Sequence, residues 1–380
     1  MKVILATPLY PPEIEDISLY CKELTKHLKD DNQFRVLAYA NQVESDKDVD
    51  VVIIDKHQPL FIRLVKYTWK LFKMSKQADL IYVQNAVAAG LPAIIVKSIT
   101  KIPVLVNFAE DESWKRSTNL RLSERSLEEF LQDRDANVRN KWIMRLQTWV
   151  LRRASKVMVS SKLLADLVAD SYKLDPEKVV YNYNPEYRKQ NLPFKLAIKK
   201  YQVFTSGPLV DWAGMDNIIK AVDIVCDDFP EARLAISGDG PAKDRLIDLA
   251  KNLEISDKVD FFGKISKAQN WYLRKTSQVY VHNFEGIDVS GQVTQSFLAG
   301  IPVIARDTAI NREIFSDCQC GLFVKSLEAK DLAKKIIQIF NNQDLADDLV
   351  YKAEQVLENK FSWAAHIDKL NNIFASLIRK

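Results

Sequence analysis

The segment Val279–Ala305 (VYVHNFEGIDVSGQVTQSFLAGIPVIA) holds the residues whose types and spacing point most directly to chemistry. It reads as strand, loop, helix, turn and strand. Val279–Val281 is an apolar β-rich run, and Asn283–Val289 is polar and irregular. Ser290-Gly291 marks a helix start, because a serine hydroxyl caps backbone N–H groups. Gln292–Leu298 would be the helix, Ala299-Gly300 its end and Pro302–Ala305 the next strand. A loop feeding a helix N-terminus beside a parallel sheet makes an anion site, since the N–H groups and the helix dipole both point at it. Glu285 and Gln295 are placed to hydrogen-bond sugar or ribose hydroxyls. The plainer alternative is one more strand–helix unit. A second cluster is Asn107 with Glu110, Asp111 and Glu112, directly after a strand end. Ligands of open α/β sheets bind at the carboxyl ends of strands, so these are site candidates; a solvated acidic loop is the other reading.

Positioning such groups requires alternating strands and helices, and the chain supplies them. Val3–Thr7, Phe34–Ala40, Val49–Asp55, Leu80–Val83, Pro103–Phe108, Val157–Ser160 and Val179–Tyr181 read as strands. Helices are expected at Ser18–Leu28, Phe61–Lys76, Ala88–Ile99, Ser123–Phe130, Lys141–Ala154 and Lys162–Tyr172, while Glu110–Arg139 is otherwise irregular. Asn182–Ala197 carries Pro185 and Pro193 without periodicity and reads as a linker. The pattern then restarts at Tyr201–Gly207, with strands at Arg233–Ser237 and Val259–Phe262. Helices follow at Met215–Asp228, Ala242–Leu253 and Lys267–Thr276. Cys320–Val324, Ala329–Asn341 and a long helical region from Leu345 close the chain. Strand alternating with helix predicts doubly wound parallel sheets.

The helix Phe61–Lys76 has apolar Phe61, Leu64, Val65, Leu71 and Phe72, basic Arg63, Lys66, Lys70, Lys73 and Lys76, and no acid. It could rest on an anionic membrane surface or pack on the sheet with a solvated basic face. The 380 residues suffice for two domains. A net charge of +4, from 54 basic and 50 acidic residues, is too balanced to argue for nucleic acid. Cys21, Cys226, Cys318 and Cys320 form no disulfide framework or zinc spacing. Met1–Thr7 begins a strand at once, which predicts no signal peptide. No apolar run approaches the ~20 residues of a membrane span. The histidines are scattered; His282, just before the polar loop, reads mainly as a structural residue. Trp212 and Trp271 read as packing residues.

Several phrases in order resemble the family-4 glycosyltransferases of the GT-B fold. They are Pro8-Leu9-Tyr10-Pro11-Pro12-Glu13-Ile14, Asp111 with Trp114, and Leu151-Arg152-Arg153-Ala154-Ser155-Lys156-Val157 with Ser160-Ser161. Ser237-Gly238-Asp239-Gly240-Pro241, Phe284-Glu285-Gly286-Ile287, Ala299-Gly300-Ile301-Pro302-Val303-Ile304, Glu313, Gly321-Leu322-Phe323-Val324 and Phe361-Ser362-Trp363 complete the set. The resemblance implies two Rossmann-like α/β domains facing across a cleft. The N-domain would span 1–190, the donor domain 191–360, and a helix at 361–380 would cross back to the N-domain. It implies retaining transfer of a sugar from a nucleotide sugar to a glycan or lipid-linked acceptor in cell-surface polysaccharide synthesis. No metal or other cofactor is expected, and the location would be cytoplasmic, at the inner face of a membrane. Glu285, Asp111 and Asn107 would be catalytic. Gly207, Gly238, Gly263, Lys264, Gly286, Ser290, Gly291, Gln292, Gln295 and Arg306 would bind the donor.

The chain departs from that pattern at four places. Glu15-Asp16 stand where two glycines open the N-domain loop, and carboxylates repel phosphate where glycine lets N–H groups approach it. Pro208 and Ala213 stand at the positions of the phosphate-binding Arg and Lys. The spacing from Glu285 to its partner is longer than the family's, and Gln295 replaces that partner glutamate. Two charge-assisted bonds at roughly 1.5–3 kcal/mol each amount to about 3–6 kcal/mol, or ~10²–10⁴ in affinity. Lys264, Arg306 and Arg312 are the cations best placed to compensate. A non-catalytic binding subunit on the same architecture is the alternative.

Overall fold

β1 (Lys2–Thr7) has Val3, Ile4, Leu5 and Ala6 all buried, as a strand covered on both faces of a parallel sheet must. It is the centre of the first of two units in the computed structural model. The model describes residues 1–12, 16–28, 33–41, 49–109, 111–119, 127–133, 138–186, 198–283, 291–315, 318–325 and 328–378. Unit 1 is Met1–Tyr183 with His366–Lys380, and unit 2 is Asn184–Ala365.

In unit 1, β1 is followed by α1 (Asp16–Leu28), β2 (Gln33–Tyr39), β3 (Asp50–Ile54), α2 (Leu60–Ser75), β4 (Leu80–Val83), α3 (Gly90–Thr100) and β5 (Val104–Asn107). Then come α4 (Glu112–Asn119), α5 (Leu127–Asp133), α6 (Val138–Arg153), β6 (Lys156–Val159), α7 (Lys162–Tyr172) and β7 (Val179–Tyr181). The described strands form a seven-stranded sheet in the order β3-β2-β1-β4-β5-β6-β7, parallel throughout. Leu5 pairs with Val36 on one side and Tyr82 on the other. The order reverses between β1 and β4, which opens a crevice beyond their carboxyl ends. Ser161 caps α7, accepting from the Leu164 N–H at 3.0 Å.

One expectation is corrected here. Glu110–Arg139 is not irregular apart from one helix: it contains α4 and α5. The polarity of α4 hides it from an apolar-periodicity reading. Ser113 and Ser117, four residues apart on one face, are buried against Asn140 of α6. The Ser113 hydroxyl donates to the Asn140 carbonyl at 3.2 Å, and Asn140 Nδ2 donates to Ser117 Oγ at 2.6 Å. A polar seam with its bonds satisfied replaces the usual apolar stripe. The helix expected at Ser123–Phe130 overlaps α5 only from Leu127; residues 120–126 lie outside the described ones.

In unit 2 the elements are β8 (Gln202–Ser206), α8 (Met215–Asp228), β9 (Arg233–Ser237), α9 (Lys243–Asn252), β10 (Val259–Gly263), α10 (Lys267–Thr276) and β11 (Val279–His282). After them come α11 (Gly291–Ala299), β12 (Val303–Arg306), α12 (Ala309–Phe315), β13 (Leu322–Val324), α13 (Ala329–Asn341), α14 (Gln343–Lys360) and α15 (Trp363–Ile378). The parallel order is β10-β9-β8-β11-β12-β13, with its reversal between β8 and β11. Ile218, Ile219, Val222 and Val225 of α8 and Leu332, Ile336 and Ile339 of α13 pack with Val203, Val279 and Val281 in one core. The alternate residues Phe204 and Tyr280 point to the opposite face, as the two-residue period requires. Burying each such side chain contributes about 1.5–3 kcal/mol. Ser266 and Gln269 form a reciprocal capping box that starts α10. The four cysteines are free thiols.

From His366 onward α15 belongs to unit 1, where Ile367, Leu370, Ile373 and Phe374 are buried. The Phe374 ring meets Tyr82 edge-on at 5.5 Å. His366 Nε2 lies 2.8 Å from the Tyr20 hydroxyl, and its Nδ1 lies 2.8 Å from the Tyr183 carbonyl. A neutral ring satisfies both, accepting at Nε2 and donating from Nδ1. Burial pushes its pKa down to about 4.

Candidate functional site

The reversal point of unit 2 gathers most of the donor-side residues singled out by sequence. Ser206 ends β8, and Gly207 donates its N–H to the Ser237 carbonyl at 2.9 Å. Leu209 donates to Asp239, and Gly238 donates to Gly263, at 3.1 and 2.9 Å. The loops after β8, β9 and β10 therefore touch backbone to backbone. That contact requires glycine at 238. Its φ is +143°, and a Cβ there would land on the Gly207 carbonyl oxygen. Gly263 has φ +65° and open space around it. The loop after β8 ends at Gly214, whose carbonyl accepts from Asn283 Nδ2 at 3.0 Å. This bond ties the head of α8 to the end of β11. Pro208 is exposed, and Ala213 is fully buried; neither side chain supplies a donor. The side chain of Trp212 lies outside the described residues, and Trp271 is buried.

The head of α11 stands next to this cluster. Gly291 and Gln295 are exposed, and Gln292 is half-buried. A helix's first-turn N–H groups have no carbonyl within the helix to receive them. Glu285, Gly286 and Ser290 lie outside the described residues, as do Glu15 and the side chain of Asp16. Lys264 follows β10 and is exposed. Arg306 ends β12, half-buried, with its carbonyl accepting from Asn311 Nδ2 at 2.8 Å. Arg312 is bound to Asp307, with NH2 2.8 Å from Oδ2.

Sequence reasoning missed Arg274 of α10, which is 1% exposed. Its guanidinium lies over the Tyr280 and Phe204 rings, 4.6 and 5.4 Å from their centroids. Nε donates to Asn270 Oδ1 at 2.9 Å. NH1 donates to the Gln292 carbonyl at 2.9 Å and to Ser296 Oγ. NH2 donates to Ser206 Oγ at 3.1 Å and to Gln292 Oε1. Gln292 thus points its amide oxygen inward and anchors the helix. Glu186 is half-buried here and accepts from Thr294 Oγ1 of α11; desolvation raises its pKa, against the opposing pull of Thr294 and Arg274. His282 is 4% exposed. Burial, then the Arg274 charge, pushes its pKa down to about 3, so it is a neutral, structural ring.

In unit 1, Asn107 ends β5 and donates from Nδ2 to Gln84 Oε1 at 2.9 Å. Asp111 is fully buried. Its Oδ1 accepts from the N–H groups of Ser113 and Trp114, both at 2.9 Å, which makes it the N-cap of α4. Its Oδ2 accepts from Gln147 Nε2 at 2.8 Å and from the Tyr172 hydroxyl. Glu112 accepts from Asn85 Nδ2, while Glu110 lies outside the described residues. The acidic run is therefore an architectural joint for Asp111 and Glu112. Among the described residues no group of three or more His, Cys, Asp or Glu converges as metal ligands.

Comparison with known proteins adds the following. Residues 17–185 match the family model described as "Glycosyl transferase 4-like domain", and residues 188–356 match "Glycosyl transferases group 1". An uncharacterized glycosyltransferase of Methanocaldococcus jannaschii is 21% identical over all of this chain and 99% of its own length. The alpha-monoglucosyldiacylglycerol synthase of Streptococcus pneumoniae is 21% identical over 84% of this chain and 74% of its own. The crystal structure of Anabaena HepE in complex with UDP superposes with a TM-score of 0.71 at 17% identity, covering 99% of this chain and 100% of that one.

Proposed function

Because the chain belongs to the family-4-like, group 1 glycosyltransferases of the GT-B fold, we propose that it moves a sugar, with retention of configuration, from a nucleotide sugar to a glycan or lipid-linked acceptor of the cell surface. The observation that carries this reading is the reversal point of unit 2, where three glycine-bearing loops and the head of α11 converge. Helix N–H groups and the helix dipole stabilise negative charge. Charge grows on the departing diphosphate as the glycosidic bond breaks, so this is where stabilisation accelerates transfer. In the reading, Gly291 and its neighbours receive the diphosphate, Gln295 the ribose and Glu285 the donor sugar. Gly207, Gly238 and Gly263 shape the floor, Lys264 and Arg306 add positive charge, and in unit 1 Asn107 contacts sugar or acceptor. The solved complex of HepE with UDP makes UDP the first nucleotide to test.

Calorimetric titration of UDP, GDP and their sugar conjugates at low salt tests the reading. Micromolar UDP or GDP binding is expected, with about tenfold or greater weakening of the sugar conjugate, but not of the nucleotide, in Glu285→Ala. Absence of binding at millimolar concentration would overturn it. Transfer is expected to proceed equally with and without EDTA, and the anomer formed, read by NMR, reports retention or inversion.

The place of work in this reading is the cytoplasmic surface of a membrane. No helix of the described residues is long and apolar enough to cross one. α2 instead carries two apolar stripes. Tyr67, Leu71 and Met74 are buried against unit 1. Phe61, Val65 and Trp69, four residues apart, are 76, 51 and 55% exposed. Lys66, Lys70, Lys73 and Lys76 are exposed on the same helix, and Lys73 lies over the Trp69 ring at 5.0 Å. An apolar ridge flanked only by cations suits an anionic lipid surface. Sedimentation with vesicles containing phosphatidylglycerol is expected to retain the protein, and pure phosphatidylcholine is not. Phe61→Ser with Trp69→Ser should weaken retention about tenfold or more. Equal retention by both vesicle types would remove the membrane from the reading.

A further inference from the structure

Arg274 is the most deeply buried cation beside the proposed donor site. Its N–H groups go to neutral acceptors: Asn270, Ser296, Ser206 and both oxygens of Gln292. Burying a guanidinium is costly unless its bonds are well made, so its presence asks for a reason. Three contacts fall on the first two turns of α11, and one falls on the last residue of β8. The half-buried carboxyl of Glu186 holds the same helix through Thr294. The charge of Arg274 therefore sits within about a turn of the helix start and away from water, where an effective dielectric constant of about 20 screens it weakly.

We infer that Arg274 is a positioning residue of the donor site: it locks the head of α11 to the end of β8 and gives that head a fixed positive charge, taking over part of the work of the cations absent at Pro208 and Ala213. The inference rests on the donor reading of unit 2 given above. It differs from compensation by exposed Lys264 or half-buried Arg306, whose charges salt screens more than that of a fully buried group. A buried charge acts on the diphosphate through the protein and not by contact.

The test compares UDP with uridine, which lacks the diphosphate. Wild-type binding of UDP comes first; if it is absent, the donor reading has failed, and this inference falls with it. Given binding, Arg274→Met is expected to weaken UDP about tenfold or more and uridine by less than about twofold, with Arg274→Lys recovering part of the loss. Equal losses for UDP and uridine would reduce Arg274 to a packing residue. Should Arg274→Met not fold, Glu186→Gln decides. It removes the opposing charge and keeps the shape, so UDP should bind about two- to fivefold tighter, measured at alkaline pH to keep the Glu186 carboxyl ionised against the upward shift that desolvation gives it, while uridine is unchanged. No change in UDP affinity there would overturn the inference.

Discussion

Asp111→Ala is expected to destabilise unit 1 by about 3–7 kcal/mol. The substitution removes the cap of α4, at about 1 kcal/mol. It also strips one of two partners from Gln147 Nε2 and the acceptor from the Tyr172 hydroxyl, both buried, at about 1–3 kcal/mol each. Such a loss is a large share of the 5–15 kcal/mol that typical domains possess. Asp111→Asn keeps the acceptor for the two helix N–H groups and presents an NH2 to the Gln147 amide, so its loss should be smaller, about 2–3 kcal/mol. Denaturant midpoints give both values. Transfer activity, measured where the variants remain folded, should follow the folded fraction. A stable Asp111→Asn protein without activity would mean instead that Asp111 meets the substrate.

Acidification from pH 7 to pH 5 is expected to cost about 2 kcal/mol in each unit. His366 in unit 1 has its pKa lowered by burial to about 4, and His282 in unit 2 to about 3. In the unfolded chain both titrate near ~6.5. Below that value the unfolded state binds protons that the folded state refuses. Stability is therefore fully present above pH ~6.5 and is lost progressively as pH falls toward 4 and then 3. Two denaturation curves, one near each pH, give the slope. His366→Gln retains a donor and an acceptor but no titration, so the unit-1 transition of that variant should lose about 2 kcal/mol of its pH dependence. An unchanged slope would mean that carboxylates govern the acid limb.

The fold was largely legible because central parallel strands are apolar runs and their covering helices are amphipathic. Lys162–Tyr172, Met215–Asp228, Lys267–Thr276 and Ala329–Asn341 coincide residue for residue with the observed helices. α4 was not legible, since its inner face is serine; the Asp111 cap was the one local signal available. α12 is short and follows Asp307 with no long apolar period. At the site, the glycines carried a readable meaning, because only backbone contact explains Gly238. Arg274 did not. In KAQNWYLRKT it looks like one of three surface cations, and only the packing of α10 on β8 and β11 turns it inward. Asp111 illustrates the converse. An acidic residue after a strand end suggests chemistry, and only tertiary contacts disclose the joint it holds.

The chain leaves unit 1 after Tyr183 and returns to it at His366. During synthesis, every residue of unit 2 emerges from the ribosome before the segment that buries Leu370, Ile373 and Phe374 in unit 1. Domains tend to fold as they emerge, and here the order of completion is inverted. The second unit can close while the first still lacks its last helix and leaves Tyr20 and Tyr82 without the His366 and Phe374 partners of the finished unit. Quality control would therefore meet the amino-terminal unit as the slower client, although it is translated first.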